Sequence, residues 1–350
     1  MLAGIQLHLQ TYNDYTVPQL AELAGQATDG GVDQIWITDN LENRDVFVVL
    51  AAIAAKVPVR LGTGVMVQYF RNPIDAASSA ASVAELMDDR ELSIAIARGN
   101  QRTPDKAESP KPVSMLRETA QTMTALLAGE HLAIAEFPTV ASYFNLPLSA
   151  SYRLDMALPG NIRLYCGGNA PLSMAVGGEH TDGLLFGARF LSTVMAGKLP
   201  PLLSVFNDAA TSVGKRDAPK VAEIKLSVDR DHDKAREHFR ARAGSRLAGL
   251  TKLGFTPDEV AALGIEMDDL LKLEASIAKH GRSPAVAELT TDTMLDAMFV
   301  AGDPVYCRER LAEVSAVASE HGFEQLMFSE LGPNPAESLK LLCEALIPSL

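Results

Sequence analysis

Short apolar runs rich in β-branched residues recur along the chain, and longer stretches whose apolar positions return every three or four residues follow them. The first pattern is that of a strand buried on both faces, the second that of an amphipathic helix. The runs are Gly4–Leu9, Gln34–Thr38, Arg60–Gly64, Glu91–Ala97, Ile162–Tyr165, Gly183–Phe186, Val221–Val228 and Glu324–Phe328. Strands alternating with helices predict βα units and a parallel sheet. Eight strands in a chain of 350 residues fit a closed (β/α)8 TIM barrel better than an open sheet.

The helices between them carry their own signals. In "PVSMLRETAQTMTALLAGE", Leu116, Ala120, Met123 and Leu127 share one face, and Gly129 supplies the stop. In "GDPVYCRERLAEVSAVASEHG", Asp303-Pro304 reads as an N-cap and first helical residue, with Gly322 at the other end. Cys307, Leu311 and Val314 share the buried face of that helix, so Cys307 reads as core rather than nucleophile. Two stretches exceed a minimal barrel: residues about 131–160, a β-rich excursion, and about 245–298, extra helices before the last strand. The reading is a single domain over 1–350 with those two insertions.

Composition narrows the function classes. With 47% hydrophobic and 21% charged residues the chain can bury a large core. A net charge of −13 argues against nucleic acid as a partner, because phosphate binding needs a basic face. The three cysteines, Cys166, Cys307 and Cys343, match no zinc or redox spacing. The start "MLAGIQLHLQ" has no signal-peptide pattern, and the longest apolar run, Val46 to Ala55, is about half a membrane span. A cytoplasmic enzyme without a membrane partner is the expectation.

A barrel places its chemistry at the C-terminal ends of its strands. The candidates there are Gln6, His8 and Gln10, then Asp39 and Asn40, then Gly62, Gly64, Val65, Gln68, Tyr69 and Arg71. Arg98-Gly99-Asn100, Gly167-Gly168-Asn169 and Arg189 follow from later strands. Glycines at 62 and 64 point to an unusual backbone or a flat ligand against the chain, or to a turn. Gly177-Gly178, inside a helical stretch, point to close approach by a phosphate or to a helix break. The histidines are scattered with no ligand spacing, so no metal is expected. Walker, Rossmann and nucleophile-elbow motifs are absent.

Six segments, in order, carry a family resemblance: "IWITDNLENRDVFVVLAAIA", "LGTGVMVQYFRNP", "KPVSMLRETAQTMTALLAGE", "GGEHTDGLLF", "MFVAGDP" and "LGPNPAESLKLL". Together they resemble the luciferase-like flavin and deazaflavin oxidoreductases, and most of all the coenzyme F420-dependent methylenetetrahydromethanopterin reductases. The resemblance implies a luciferase-like barrel, a homodimer or higher homo-oligomer, and F420 in the mouth, with FMN the alternative. It implies a non-proline cis peptide at Gly64-Val65 under the deazaflavin ring. Thr38, Asp39, Asn40, Gly99, Gly167 and Gly168 would lie around the coenzyme, with its phosphate near Gly177 and Gly178.

The sequence departs from that family where its catalytic groups stand. Gln6 replaces a glutamate, Asn40 a histidine, and Asn100 the aspartate of a Gly-Pro-Gly-Asp motif that here reads Ala97-Arg98-Gly99-Asn100. Amides accept and donate hydrogen bonds but deliver no proton at neutral pH. The expectation is therefore a hydride-transferring F420 oxidoreductase acting on a small organic substrate other than the family's pterin. Arg71, Arg98 and Arg189 would face one mouth and hold an anionic substrate group or the coenzyme's tail. The alternatives are an FMN-dependent monooxygenase and a barrel that binds flavin without turnover.

Overall fold

The computed structural model describes residues 1–99 and 111–350. Eight parallel strands close into a barrel: β1 (Leu2–Leu7), β2 (Gln34–Ile37), β3 (Arg60–Val67), β4 (Leu92–Ala97), β5 (Ile162–Gly167), β6 (Gly183–Phe186), β7 (Lys220–Val228) and β8 (Gln325–Ser329). They run in sequence order, and β8 returns to β1. The β6–β7 and β7–β8 pairings complete the ring. Every expected strand is present. β3 continues three residues past its expected end, and a register irregularity between Gly64 and Met66 lets it do so.

The alternation within each strand divides two cores. On β7, Ala222, Ile224, Leu226 and Val228 pack outward against the helices, while Val221 joins Trp36, Ala95, Tyr165, Leu185 and Met327 inside the barrel. Trp36, the only tryptophan, is fully buried there, and its indole N–H donates to Gln325 Oε1 at 3.1 Å. The barrel makes room for it with missing side chains. A Cβ on Gly62 would lie 2.6 Å from the indole, and one on Gly4 2.9 Å from its nitrogen. Gly62 is thus a packing glycine for a side chain of the chain itself, not a platform for a ligand.

Below Trp36 a polar layer closes the floor of the barrel. Gln34 donates to Ser93 Oγ and to the Leu61 carbonyl, and Gln325 donates to Gln34. Each buried amide in this layer has a partner, which is what keeps a polar interior affordable.

The two excursions differ from each other. Residues 132–152 hold one short antiparallel pair, Leu132–Ala133 with Ser151–Tyr152, around the helix Pro138–Tyr143. The expected β-rich segment is therefore largely helical and irregular. Its helix starts where the buried Glu118 carboxylate accepts from the Thr139 and Val140 N–H groups at 2.7 and 2.9 Å, a cap supplied by another helix. The later excursion holds the expected helices, among them Met267–His280, and packs on Phe239, Leu247, Leu273 and Phe299 in a core of its own. An unexpected strand, Val300–Gly302, pairs with the end of β7 before the helix Pro304–Glu320, whose cap is Asp303 as expected.

Candidate active site

The C-terminal ends of the strands surround an open cleft of about 220 Å³. One wall is short of side chains: Gly64, Gly99, Gly167 and Gly168 line it with Val65 and Ala97. Gly167 leaves the space that Val65 fills, since a Cβ there would lie 2.6 Å from Val65 Cγ1. The Gly64–Val65 peptide is cis, at the position the resemblance implies. Gln6 reaches across from β1 and donates a short hydrogen bond to the Gly64 carbonyl.

Asp39 and Thr38 hold the rim. The Asp39 N–H donates to the Val65 carbonyl at 3.2 Å, and its carboxylate accepts from the Val67 N–H at 3.1 Å. Asp39 thus clips the end of β2 to the end of β3. Thr38 Oγ1 accepts from the Leu9 N–H at 2.9 Å, which fastens the chain after β1. Asn40 lines the cleft and accepts from the Glu42 N–H, closing the turn. Asp45 caps the helix Val46–Ala54 through Phe47 and Val48.

Arg71 belongs to this scaffold. It pairs with Asp39 at 3.0 Å and Asp45 at 2.9 Å, and its guanidinium lies 5.2 Å from the centre of the Phe47 ring. Burial pushes the Asp39 carboxyl up, against the pull of that guanidinium. Two carboxylates already hold Arg71, and it does not line the cleft. Arg98 is exposed on the loop after β4. Arg189 is half-buried behind Gly187 and Ala188, and the expected trio of arginines does not share one pocket. Asn100 lies outside the described residues.

Gly177 and Gly178 are also placed away from the cleft. A Cβ on Gly177 would sit 2.4 Å from Cys166 Cβ, and one on Gly178 2.3 Å from the Phe206 carbonyl. Their absence of side chains lets the helix Pro171–His180 press onto β5 and onto the helix Leu199–Ser212. The other end of Pro171–His180 is at the cleft. Its N-cap, Ala170, offers no side-chain oxygen, so its first N–H groups stay available beside Gly168. That end lies about two turns from Gly177.

The opposite wall carries charges that sequence patterns missed. Glu223 and Lys225 project inward from β7 and pair at 2.7 Å; Ser329 Oγ donates to Glu223 at 2.9 Å. Lys225 also reaches Glu330 at 3.3 Å, and Arg242 and Arg246 of the helix His232–Leu247 close on the same carboxylate. Burial alone would raise the Glu330 carboxyl, but Lys225, Arg242 and Arg246 hold it down at about 2. His8 faces the cleft with Nδ1 buried and unpartnered, and burial lowers its imidazole to about 4. The signal in the sequence was "EIK": two charges two residues apart on a strand whose outer face is covered by helices.

The sequence model of the luciferase-like monooxygenase family matches residues 1–321. The chain belongs to this family. Among similar members is a 5,10-methylenetetrahydromethanopterin reductase of Archaeoglobus fulgidus, 28% identical over 335 residues that make up 93% of each chain. Another reductase of that name, from Methanolobus tindarius, is 26% identical over 340 residues, 95% of this chain and 96% of its own. The solved structure of the coenzyme F420 dependent tetrahydromethanopterin reductase from Methanopyrus kandleri superimposes with a TM-score of 0.75 at 22% identity. That match covers 99% of this chain and 98% of the other. It establishes the luciferase-like barrel.

Proposed function

We propose that this luciferase-like protein is an oxidoreductase that uses coenzyme F420 to exchange a hydride with a small organic substrate. The observation that carries the reading is the asymmetry of the cleft. A wall of glycines suits a flat tricyclic ring, and a wall of ionised and titratable groups faces it across the opening. The names borne by its relatives, two methylenetetrahydromethanopterin reductases and an F420-dependent structure, support the deazaflavin over FMN.

The residues present fit the coenzyme. Gly64, Val65, Gly167 and Gly168 would hold the ring, with Asp39 and Gln6 fixing the backbone beneath it. The uncapped start of Pro171–His180 would take its phosphate. When bound, the coenzyme supplies the hydride; the protein supplies position and a proton. Gln6 and Asn40 deliver no proton, but the cleft does not depend on them. Lys225 carries an ammonium into it, and His8 stays neutral at pH 7, where its imidazole can pass a proton between its two nitrogens. These groups favour a working enzyme over a barrel that only binds.

The excursions at 131–160 and 245–298 are taken as insertions in one barrel domain, and a homo-oligomer accompanies this reading. Among the described residues no helix is long and apolar enough to cross a membrane. The function is tested by titrating the purified protein with F420 and with FMN and following the fluorescence of each. F420 binding with no comparable FMN binding is expected. Tight FMN binding without F420 binding points instead to the FMN-dependent monooxygenases of the same family.

A further inference from the structure

Among the described residues, the Arg189 guanidinium near the mouth makes no ion pair. Arg189, held at the end of β6 by its N–H bond to the Gly187 carbonyl, turns a half-buried guanidinium toward the helix His232–Leu247. A Cβ on Gly249 would come 3.5 Å from its Nη2, so the guanidinium lies just past the end of that helix, beside Arg246. Arg246 lines the cleft, and its one ion pair among the described residues, to Glu330, is long at 3.7 Å. Among the described residues, the Nε atoms of both arginines are buried with no hydrogen-bond acceptor. Burial and the charge of Arg246 press the Arg189 guanidinium down to about 10.

The balance of charge is uneven in the same place. Lys225, Arg242, Arg246 and Arg189 gather there, and the ion pairs of these four among the described residues reach two carboxylates, Glu223 and Glu330. Four cations against two anions leave two positive charges in excess, inside a chain whose net charge is −13. Half-buried guanidinium groups that repel each other persist where an anion joins them.

We propose that Arg189 and Arg246 form an anion-binding subsite beside Gly187 and Ala188, which takes a carboxylate or phosphate group of the substrate. This deepens the oxidoreductase reading, on which it rests for the word substrate. The subsite lies on the β6–β7 side of the mouth, beside the ionised wall and across the cleft from Gly64 and Val65. A substrate anchored there by its anionic end would extend its reacting carbon over the glycine wall.

The test uses the full chain and inorganic phosphate as probe, against chloride at matched ionic strength. Phosphate at about 10 mM should raise the melting temperature of the unmodified protein by roughly 1–2 °C more than chloride does. Arg189→Met and Arg246→Met should lose most of that rise, and Arg189→Lys should keep part of it. Arg189→Met removes an unpaired cation, so without phosphate it should melt no lower than the unmodified protein. A phosphate response no larger than that of chloride, or one retained in full by Arg189→Met, overturns the subsite. F420 titration of Arg189→Met then separates the two sources of the anion. Affinity within about threefold of the unmodified protein supports a substrate group; a loss of about tenfold or more overturns that assignment in favour of the coenzyme's acidic tail. If F420 does not bind even the unmodified protein, the coenzyme reading fails while the phosphate result still decides the subsite.

Discussion

Single side chains at the mouth are set by what surrounds them more than by their type. His8 shows it best. Its imidazole lies at about 4 in the folded chain, against an ordinary 6.5. The unfolded chain therefore takes up the proton first, and stability falls as pH drops from 6.5 toward 4, by up to about 3 kcal/mol from this residue. His8→Gln should flatten that part of the stability profile, as read from urea midpoints at pH 7 and pH 5; an unchanged slope would exclude His8 as its source. Glu330 has the same sign in a lower pH window. Its carboxylate contribution is complete above 4.5 and disappears as pH falls through about 2. Glu330→Gln leaves Lys225, Arg242 and Arg246 short of their counter-charge and should cost about 3–5 kcal/mol at pH 7. The role of Glu330 was not legible from its neighbours in sequence, because its partners Lys225 and Arg242 come from 105 and 88 residues away.

Among the elements, the helix Pro171–His180 separates two roles that the sequence had merged. Its glycine pair was visible as an anomaly in a helical stretch, and the reason is contact with Cys166 and with the backbone at Phe206 and Ala210. Gly178→Ala should destabilise the protein by about 1–3 kcal/mol through overpacking, yet leave F420 affinity unchanged in the folded fraction. Weakened coenzyme binding at intact stability would instead return Gly178 to the phosphate. The strands were legible because each is a short apolar run that helices cover on the outside. The 131–160 excursion was not, because its helix is capped by Glu118 from a separate element.

At the scale of the whole molecule, two cores meet at one mouth. Trp36 reports on the barrel interior, and Phe239, stacked on Phe299 at 5.1 Å, belongs to the other core. The helix His232–Leu247 joins them: it anchors the second core through Phe239 and Leu247 and sends Arg242 and Arg246 into the barrel mouth. Leu273→Ala, buried in the second core, should cost about 2–5 kcal/mol by chemical denaturation. The emission maximum of Trp36 in the native variant should not move, since nothing around the indole changes; a red shift would show that the two cores are not packed independently.

The sequence by itself determined the strands, their order and the closed barrel, since alternation and helical period are local properties that each strand and helix carries alone. It also determined the polar rim at Asp39 and Asn40 and the cis position at Gly64–Val65, through a resemblance spread over the whole chain. Only the tertiary structure decided which charges face one another. It withdrew Arg71 into a clasp with Asp39 and Asp45, turned Gly62 and Gly177-Gly178 into packing positions, and assembled Glu223, Lys225, Glu330 and Arg246 opposite the glycine wall. Electrostatic partnership depends on distances of a few ångströms between segments far apart in the chain, and no local pattern encodes those.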